Sequence, residues 1–233
     1  MRVARTVLIV LVILGGLFVA ADRITVSVAQ NKAADRAALT EGLTTKPKVS
    51  IEGFPFLTQA VGGKLDEVKI SAKDIAAGNG EQTLRIDSFH ADLHGVRLSD
   101  SYRRAVADTA DGIAFLTYED LTKAAPTGIT VSSAGDAKSK DGGALVKITG
   151  EFMGARLSVL SEVTVRGADE IGLQAAELPK AFTELGLEDQ VRQQIDFTRQ
   201  LTHLPSGIAL TSVTSTPDGL SVAAGGKNVV LAN

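Results

Sequence analysis

The sequence predicts an α+β protein, a single domain in which a long, curved, mostly antiparallel sheet wraps around helix. Three observations lead there. An apolar run fills residues 7–21 and an Ala-rich stretch with helical spacing follows it. From residue 48 onward, apolar and polar residues alternate in ten separate segments. A stripe at helical spacing returns only late, between residues 185 and 201. With 233 residues, 44% hydrophobic and a net charge of −3, residues 22–233 can bury one sizeable core, and no shift in composition divides them.

The first element is an export segment. Arg2 and Arg5 precede the uninterrupted apolar run, which keeps the start of the chain cytoplasmic and sends the rest outside, as a cleaved signal or as a membrane anchor. Residues 7–21 reach roughly 22 Å as helix, short of the roughly 30 Å hydrocarbon core, which favours cleavage. There is no cysteine, so neither disulfides nor a lipid-modified cysteine contribute. In residues 22–43, Ala29, Ala33, Ala34, Ala37, Ala38 and Leu39 favour a helix that Gly42 stops.

The strands follow at 48–53, 64–73, 82–98, 103–116, 128–134, 144–153, 155–167, 171–176, 208–215 and 219–224. In 82–98 the apolar face changes twice: Leu84 and Ile86 share one side, Phe89, Ala91 and Leu93 the other, and Val96 and Leu98 return. Bulges near Asp87 and Gly95 would account for this and bend the strand. A short helix at 118–125 ends at Pro126. A longer one at 185–201, with Leu187, Val191, Ile195, Thr198 and Leu201 in a stripe, is expected to pack into the concave face of the sheet. Turns are signalled at Gly62-Gly63, Gly78-Asn79-Gly80, Asp141-Gly142-Gly143 and Pro217-Asp218-Gly219, and residues 135–143 read as a polar hairpin tip.

Between the first two strands the chain places Phe54-Pro55-Phe56-Leu57 where a polar turn is usual. Pro55 fixes its own φ and drives Phe54 toward extended geometry, so two phenyl rings and a leucine stand at the end of the sheet. Such a tip either closes the core or touches lipid.

Catalytic and metal chemistry find little support. His90 and His94 would converge on an ion in a helix, but in a strand they stand roughly 13 Å apart, and His203 is alone before Leu204-Pro205. No Gly-x-Ser-x-Gly elbow, cysteine nucleophile or phosphate loop is present, and Asp66-Glu67 and Glu119-Asp120 do not by themselves form a carboxylate pair. An acidic balance without a basic, aromatic-interleaved stripe argues against nucleic acid. The basic pair Arg103-Arg104, beside Tyr102, is a headgroup candidate: guanidinium groups bind phosphate through paired hydrogen bonds, although an ordinary strand start would look the same.

Residues 53–57, Gly-Phe-Pro-Phe-Leu, and 66–72, Asp-Glu-Val-Lys-Ile-Ser-Ala, resemble the LmeA-type family of actinobacterial phospholipid-binding envelope proteins. The likeness continues through Ala105-Val106-Ala107-Asp108 to Tyr118-Glu119-Asp120-Leu121, and through Phe197-Thr198 to Thr216-Pro217-Asp218-Gly219-Leu220, so it covers most of the chain after Ala21. His90, His94 and Gly78-Asn79-Gly80 lie outside those motifs. The resemblance implies a non-catalytic, extracytoplasmic lipid binder with an elongated fold similar to the tubular lipid-binding proteins, no cofactor, an inositol phospholipid as ligand and a role in lipoglycan maturation. On that reading Phe54, Phe56, Leu57, Val68, Ile70, Leu187, Val191 and Ile195 are the rim and cavity candidates. A membrane-tethered scaffold that binds an envelope protein or polysaccharide through a sheet edge is the competing reading.

Energetics make a demand of the lipid reading. A two-chain phospholipid with about 30 methylenes costs on the order of 24 kcal/mol to place in water, so its carrier must offer a continuous aliphatic surface. The alternating strands are expected to enclose it.

Overall fold

The computed structural model describes residues 2–40, 43–77, 84–100, 104–135, 137, 139, 142–152, 155–178, 184, 186, 188–201 and 204–232. Gly78-Asn79-Gly80, Arg103, Leu187 and His203 lie outside the described residues, and of Val191 and Ile195 only the backbone is described.

Helix α1 (Arg2–Thr40) runs without a break from the apolar segment through the Ala-rich one, so the two expected pieces are one rod about 58 Å long. Its two halves live in different environments. Among the described residues before Asp22 none is buried, whereas Asp22, Val26 and Ala34 are. Small alanines let this second half lie close on the sheet.

Among the described residues, eleven strands form two antiparallel sheets, not closed into a barrel. Sheet 1 has the order β1 (Lys48–Glu52), β2 (Lys64–Ala77), β3 (Leu84–Ser99), β4 (Arg104–Thr117), β11 (Gly219–Ala232), β10 (Ile208–Ser215). Sheet 2 has the order β5 (Thr130–Ser133), β6 (Ala144–Phe152), β7 (Ala155–Arg166), β8 (Glu170–Glu177), β9 (Phe197–Gln200). Three short helices are also described: α2 (Phe56–Gly62), α3 (Tyr118–Ala124) and α4 (Glu188–Ile195).

Two cores result. In the first, Val26 and Ala34 of α1 and Phe56 of α2 meet Val49, Ile51, Leu65, Val68, Leu93, Val96, Ala107, Ala110 and Val229 of sheet 1. In the second, Ala144, Val146, Ile148 and Val163 of sheet 2 meet Val213 and Leu220, with Tyr118 and Leu121 of α3 against them. The helix packed on sheet 1 is therefore the second half of α1, not residues 185–201. That late segment is helix only to Ile195 and then becomes β9, paired with β8 from Glu170↔Gln200 to Leu173↔Phe197. The reason is local: Asp196 accepts the Ala175 N–H at 2.7 Å, pinning the chain to β8, whose open edge takes the next residues as a strand.

The bulges expected near Asp87 and Gly95 are absent. Pairing of β2 with β3 keeps one register from Lys64↔Arg97 to Ala77↔Leu84. The two changes of face fall instead at single residues in the left-handed region, Gly95 (φ 61) and Asp74 (φ 55), the latter level with Asp87. A Cβ at Gly95 would overlap the Asp108 carboxylate, so glycine is the residue that fits.

Candidate functional site

Residues paired across a sheet point to the same side, so register identifies faces. On one side of sheet 1 the rows Ile70↔Ala91↔Gly112↔Ala224 and Ala72↔Phe89↔Ala114↔Val222 run from β2 to β11. The opposite side carries Lys69, Ser71, His90 and Asp92. His90 bonds Ser71 there, Nδ1 to Oγ at 3.1 Å.

The apolar side is covered at both ends and open between them. Toward one end α1 and α2 cover Val68, Leu93 and Ala110; toward the other sheet 2 and α3 cover Val213 and Leu220. Phe89, Ala91, Gly112, Ala114 and Ala224 lie between, half-buried, and none belongs to either core. They form an apolar floor, in which the Phe89 ring lies over Gly112, 3.6 Å from where a Cβ would stand, and the neighbouring Ala72 is buried. No enclosed chamber accompanies it among the described residues. The two best-formed hollows are open depressions of about 490 and 500 Å³ at the sheet's margins.

The tip residues separate. Phe54, joined to Pro55 by a cis peptide bond, is 58% exposed, with the Arg23 guanidinium 5.2 Å from its ring centre. Phe56 is 6% exposed and belongs to the core. Leu57 is half-buried, and its N–H donates to Asp22 Oδ1 at 2.8 Å. Asp22 of α1 thus supplies the acceptor that Pro55, preceding α2, does not. Val68 is buried and Ile70 packs on the core's margin.

Polar groups gather at two places. Near α3, Arg85 donates to Asp74 and to the buried Asp120, whose other partner is the Thr117 hydroxyl at 2.6 Å. Thr117 caps α3 by accepting the Asp120 N–H, and its hydroxyl donates back to the Asp120 carboxylate. Burial would raise the Asp120 carboxyl, but the Thr117 and Arg85 hydrogen bonds outweigh it and hold the group below its ordinary range. Arg85 also reaches Asp87 at 3.4 Å, so one guanidinium serves three carboxylates and ties β2, β3 and α3 together. At the α2 end, Lys64 and Arg97 both donate to Asp108, which the Lys64 hydrogen bond, against some desolvation and aided by the charge of Arg97, holds low. Arg104 is exposed and pairs with Ser99.

Of the sequence candidates, the structure brings Phe56, Val68 and Ile70 together and leaves Phe54 outside them. The floor residues Phe89, Ala91, Gly112, Ala114 and Ala224 were not candidates, although alternation of Phe89, Ala91 and Leu93 had placed the first two on one face. That Lys64, Arg97 and Asp108 converge depends on strand pairing, which spacing does not reveal.

A family model described as LmeA-like phospholipid-binding matches residues 20–225, nearly the whole chain, and the chain belongs to that family. No curated protein and no solved structure gives a significant match.

Proposed function

Starting from this family membership, we propose that the protein is a non-catalytic phospholipid binder working outside the cytoplasmic membrane, tethered there by the first half of α1. The observation that carries the reading is the apolar floor: a belt of half-buried apolar side chains on the inner face of sheet 1, lying between two packed cores and belonging to neither. Acyl chains are its natural occupant, because nothing on it donates or accepts a hydrogen bond from a side chain.

Magnitudes set how much lipid it holds. Four strands at about 4.8 Å and four residues at about 3.3 Å give a strip of roughly 14 by 13 Å. Counting both contacting surfaces, that is about 360 Å², or about 9 kcal/mol at 25 cal/mol per Å². One chain of about 15 methylenes is worth about 12 kcal/mol, so the floor suits one acyl chain. The second chain needs further cover, which we assign to Leu187, Val191 and Ile195 with Ile70 at the margin and the core residue Val68 supporting it from beneath. Phe54 and Leu57, with Phe56 behind them, form the rim, and Arg103 and Arg104 are the headgroup ligands. An inositol phospholipid and lipoglycan maturation are the ligand and process we favour.

We propose that the helix is retained, a reading its continuity with the domain supports. Helical residues 3–21 span roughly 28 Å, close to the hydrocarbon thickness, and Asp22 directly after them is a buried part of the domain.

Native mass spectrometry of the full chain, released from detergent after purification from a phospholipid-rich host, tests the reading. One bound phospholipid per chain, displaced best by inositol phospholipid, is expected. A clean apo mass together with no transfer of labelled phospholipid between vesicles overturns it in favour of the scaffold.

A further inference from the structure

The end of sheet 1 nearest α2 joins three features. First, α1 leaves the domain there: Asp22, its first buried residue, is bonded to Leu57 at the start of α2, and only exposed apolar helix precedes it. Second, two large apolar side chains stand in solvent beside that exit, Phe54 at 58% and Val61 at 88% exposure. Third, Lys64 and Arg97 line an open depression of about 490 Å³ together with Gly62, Gly63 and Ser99. Register places Arg104 opposite Ser99, on the same side as Arg97. Lys64 and Arg97 share one carboxylate, Asp108, and Arg104 has no ion pair among the described residues, while Asp66 beside Gly53 and Asp100 after Ser99 are the acidic groups nearby.

We propose that this end of the domain is a membrane-docking surface for an anionic bilayer, with Phe54 and Val61 entering the interface and Lys64, Arg97 and Arg104 meeting lipid phosphates. The inference rests on α1 being a retained anchor, as proposed above. Dimensions select the bilayer as occupant. From Leu57 to Gly62 is about 8 Å of helix, so the cationic depression lies within roughly a headgroup layer of the point where α1 emerges; that layer is about 5–8 Å thick. An aqueous protein partner would have to compete with the membrane for a surface the anchor already presses against it. Docking also fixes the rim at Phe54 next to the bilayer from which a lipid would be drawn.

The chain has no cysteine, so single labels are specific. The full chain is reconstituted in nanodiscs of phosphatidylcholine alone or with phosphatidylglycerol, carrying a fluorophore at Val61→Cys or, as control, at Lys147→Cys on the exposed side of sheet 2. Nitroxide lipids near the headgroup should quench position 61 and spare position 147, more strongly with anionic lipid. Arg104→Gln should lower the docked-to-undocked ratio about fivefold at low salt, and Lys64→Gln a similar amount. Equal quenching at both positions, or no dependence on anionic lipid, overturns the proposal. Bound phospholipid is weighed in the same samples: undocked protein that still carries lipid rejects the docking surface alone, whereas docked protein that never carries lipid rejects the carrier reading.

Discussion

Ala91→Asp is the sharpest test of the floor. Ala91 sits at its centre, on β3 between Ile70 and Gly112, half-buried and outside both cores. A carboxylate there keeps its hydration shell and denies an acyl chain roughly a third of the strip, which is about 3 kcal/mol of the 9 available. Affinity should fall on the order of 150-fold. Stability should hardly move, since an Ala to Asp change on an open strand face costs about 1 kcal/mol or less, about 2–4 °C in a chain of this size. Native mass spectrometry gives the lipid occupancy and a thermal melt gives the midpoint. Unchanged occupancy would remove the floor from the binding site. A midpoint lowered by more than about 10 °C would refute the reasoning differently, by showing that Ala91 is core.

Phe56→Ala should behave in the opposite way: the ring lies in the first core, so about 3–4 kcal/mol and about 10 °C of thermal midpoint should be lost; a midpoint within 3 °C of wild type would move Phe56 to the rim. Because the Asp120 carboxyl is held low, its contribution is complete above its unfolded value of about 4 and drains away as pH falls below it. Asp120→Asn should therefore be less stable by about 2 kcal/mol at pH 7 and match wild type near pH 2 in denaturant titrations; a constant gap at all pH values would contradict the assignment. The Ser161 hydroxyl, fully buried on the inner face of sheet 2 between Val146 and Ala175, has no hydrogen-bond partner among the described residues. Ser161→Ala should be neutral or stabilising by about 1 kcal/mol, and a loss of more than that in the melt would mean the hydroxyl is satisfied.

Local pattern carried the strands and failed where tertiary contact decides. Alternation located ten of the eleven strands because each strand has one wet face, as with Lys69, Ser71 and His90 of sheet 1. The expected end of β11 at Ala224 was short because Gly225-Gly226-Lys227-Asn228 reads as a turn. In the fold a Cβ at Gly226 would overlap the Gly207 carbonyl oxygen, so that glycine serves close strand approach and the strand continues to Ala232. Helix α2 escaped notice because Phe56–Gly62 is two turns long and held from outside by Asp22, a residue 35 positions away in sequence. The stripe ending at Thr198 and Leu201 imitated a helix because β9 is an edge strand with few side chains to bury, and such a strand keeps no period of two. For the site, alternation announces a buried face without saying what buries it: Leu93 and Ala91 are two residues apart on one face, yet Leu93 is 5% exposed in the core and Ala91 lies on the open floor.

On the proposed reading, the half-exposed floor and an anchoring α1 explain each other energetically. A carrier that swims free with a two-chain lipid must offset about 24 kcal/mol of exposed methylene and therefore needs a closed, lipid-sized interior. The described floor offers about 9 kcal/mol. A domain held against the bilayer by α1 faces a smaller demand, because the lipid's second chain can stay in hydrocarbon while the first lies on the sheet. In that arrangement a half-exposed floor is sufficient, exchange with the membrane needs no chamber to open, and small residues such as Ala91 and Ala114 serve by leaving room for a chain they do not have to surround.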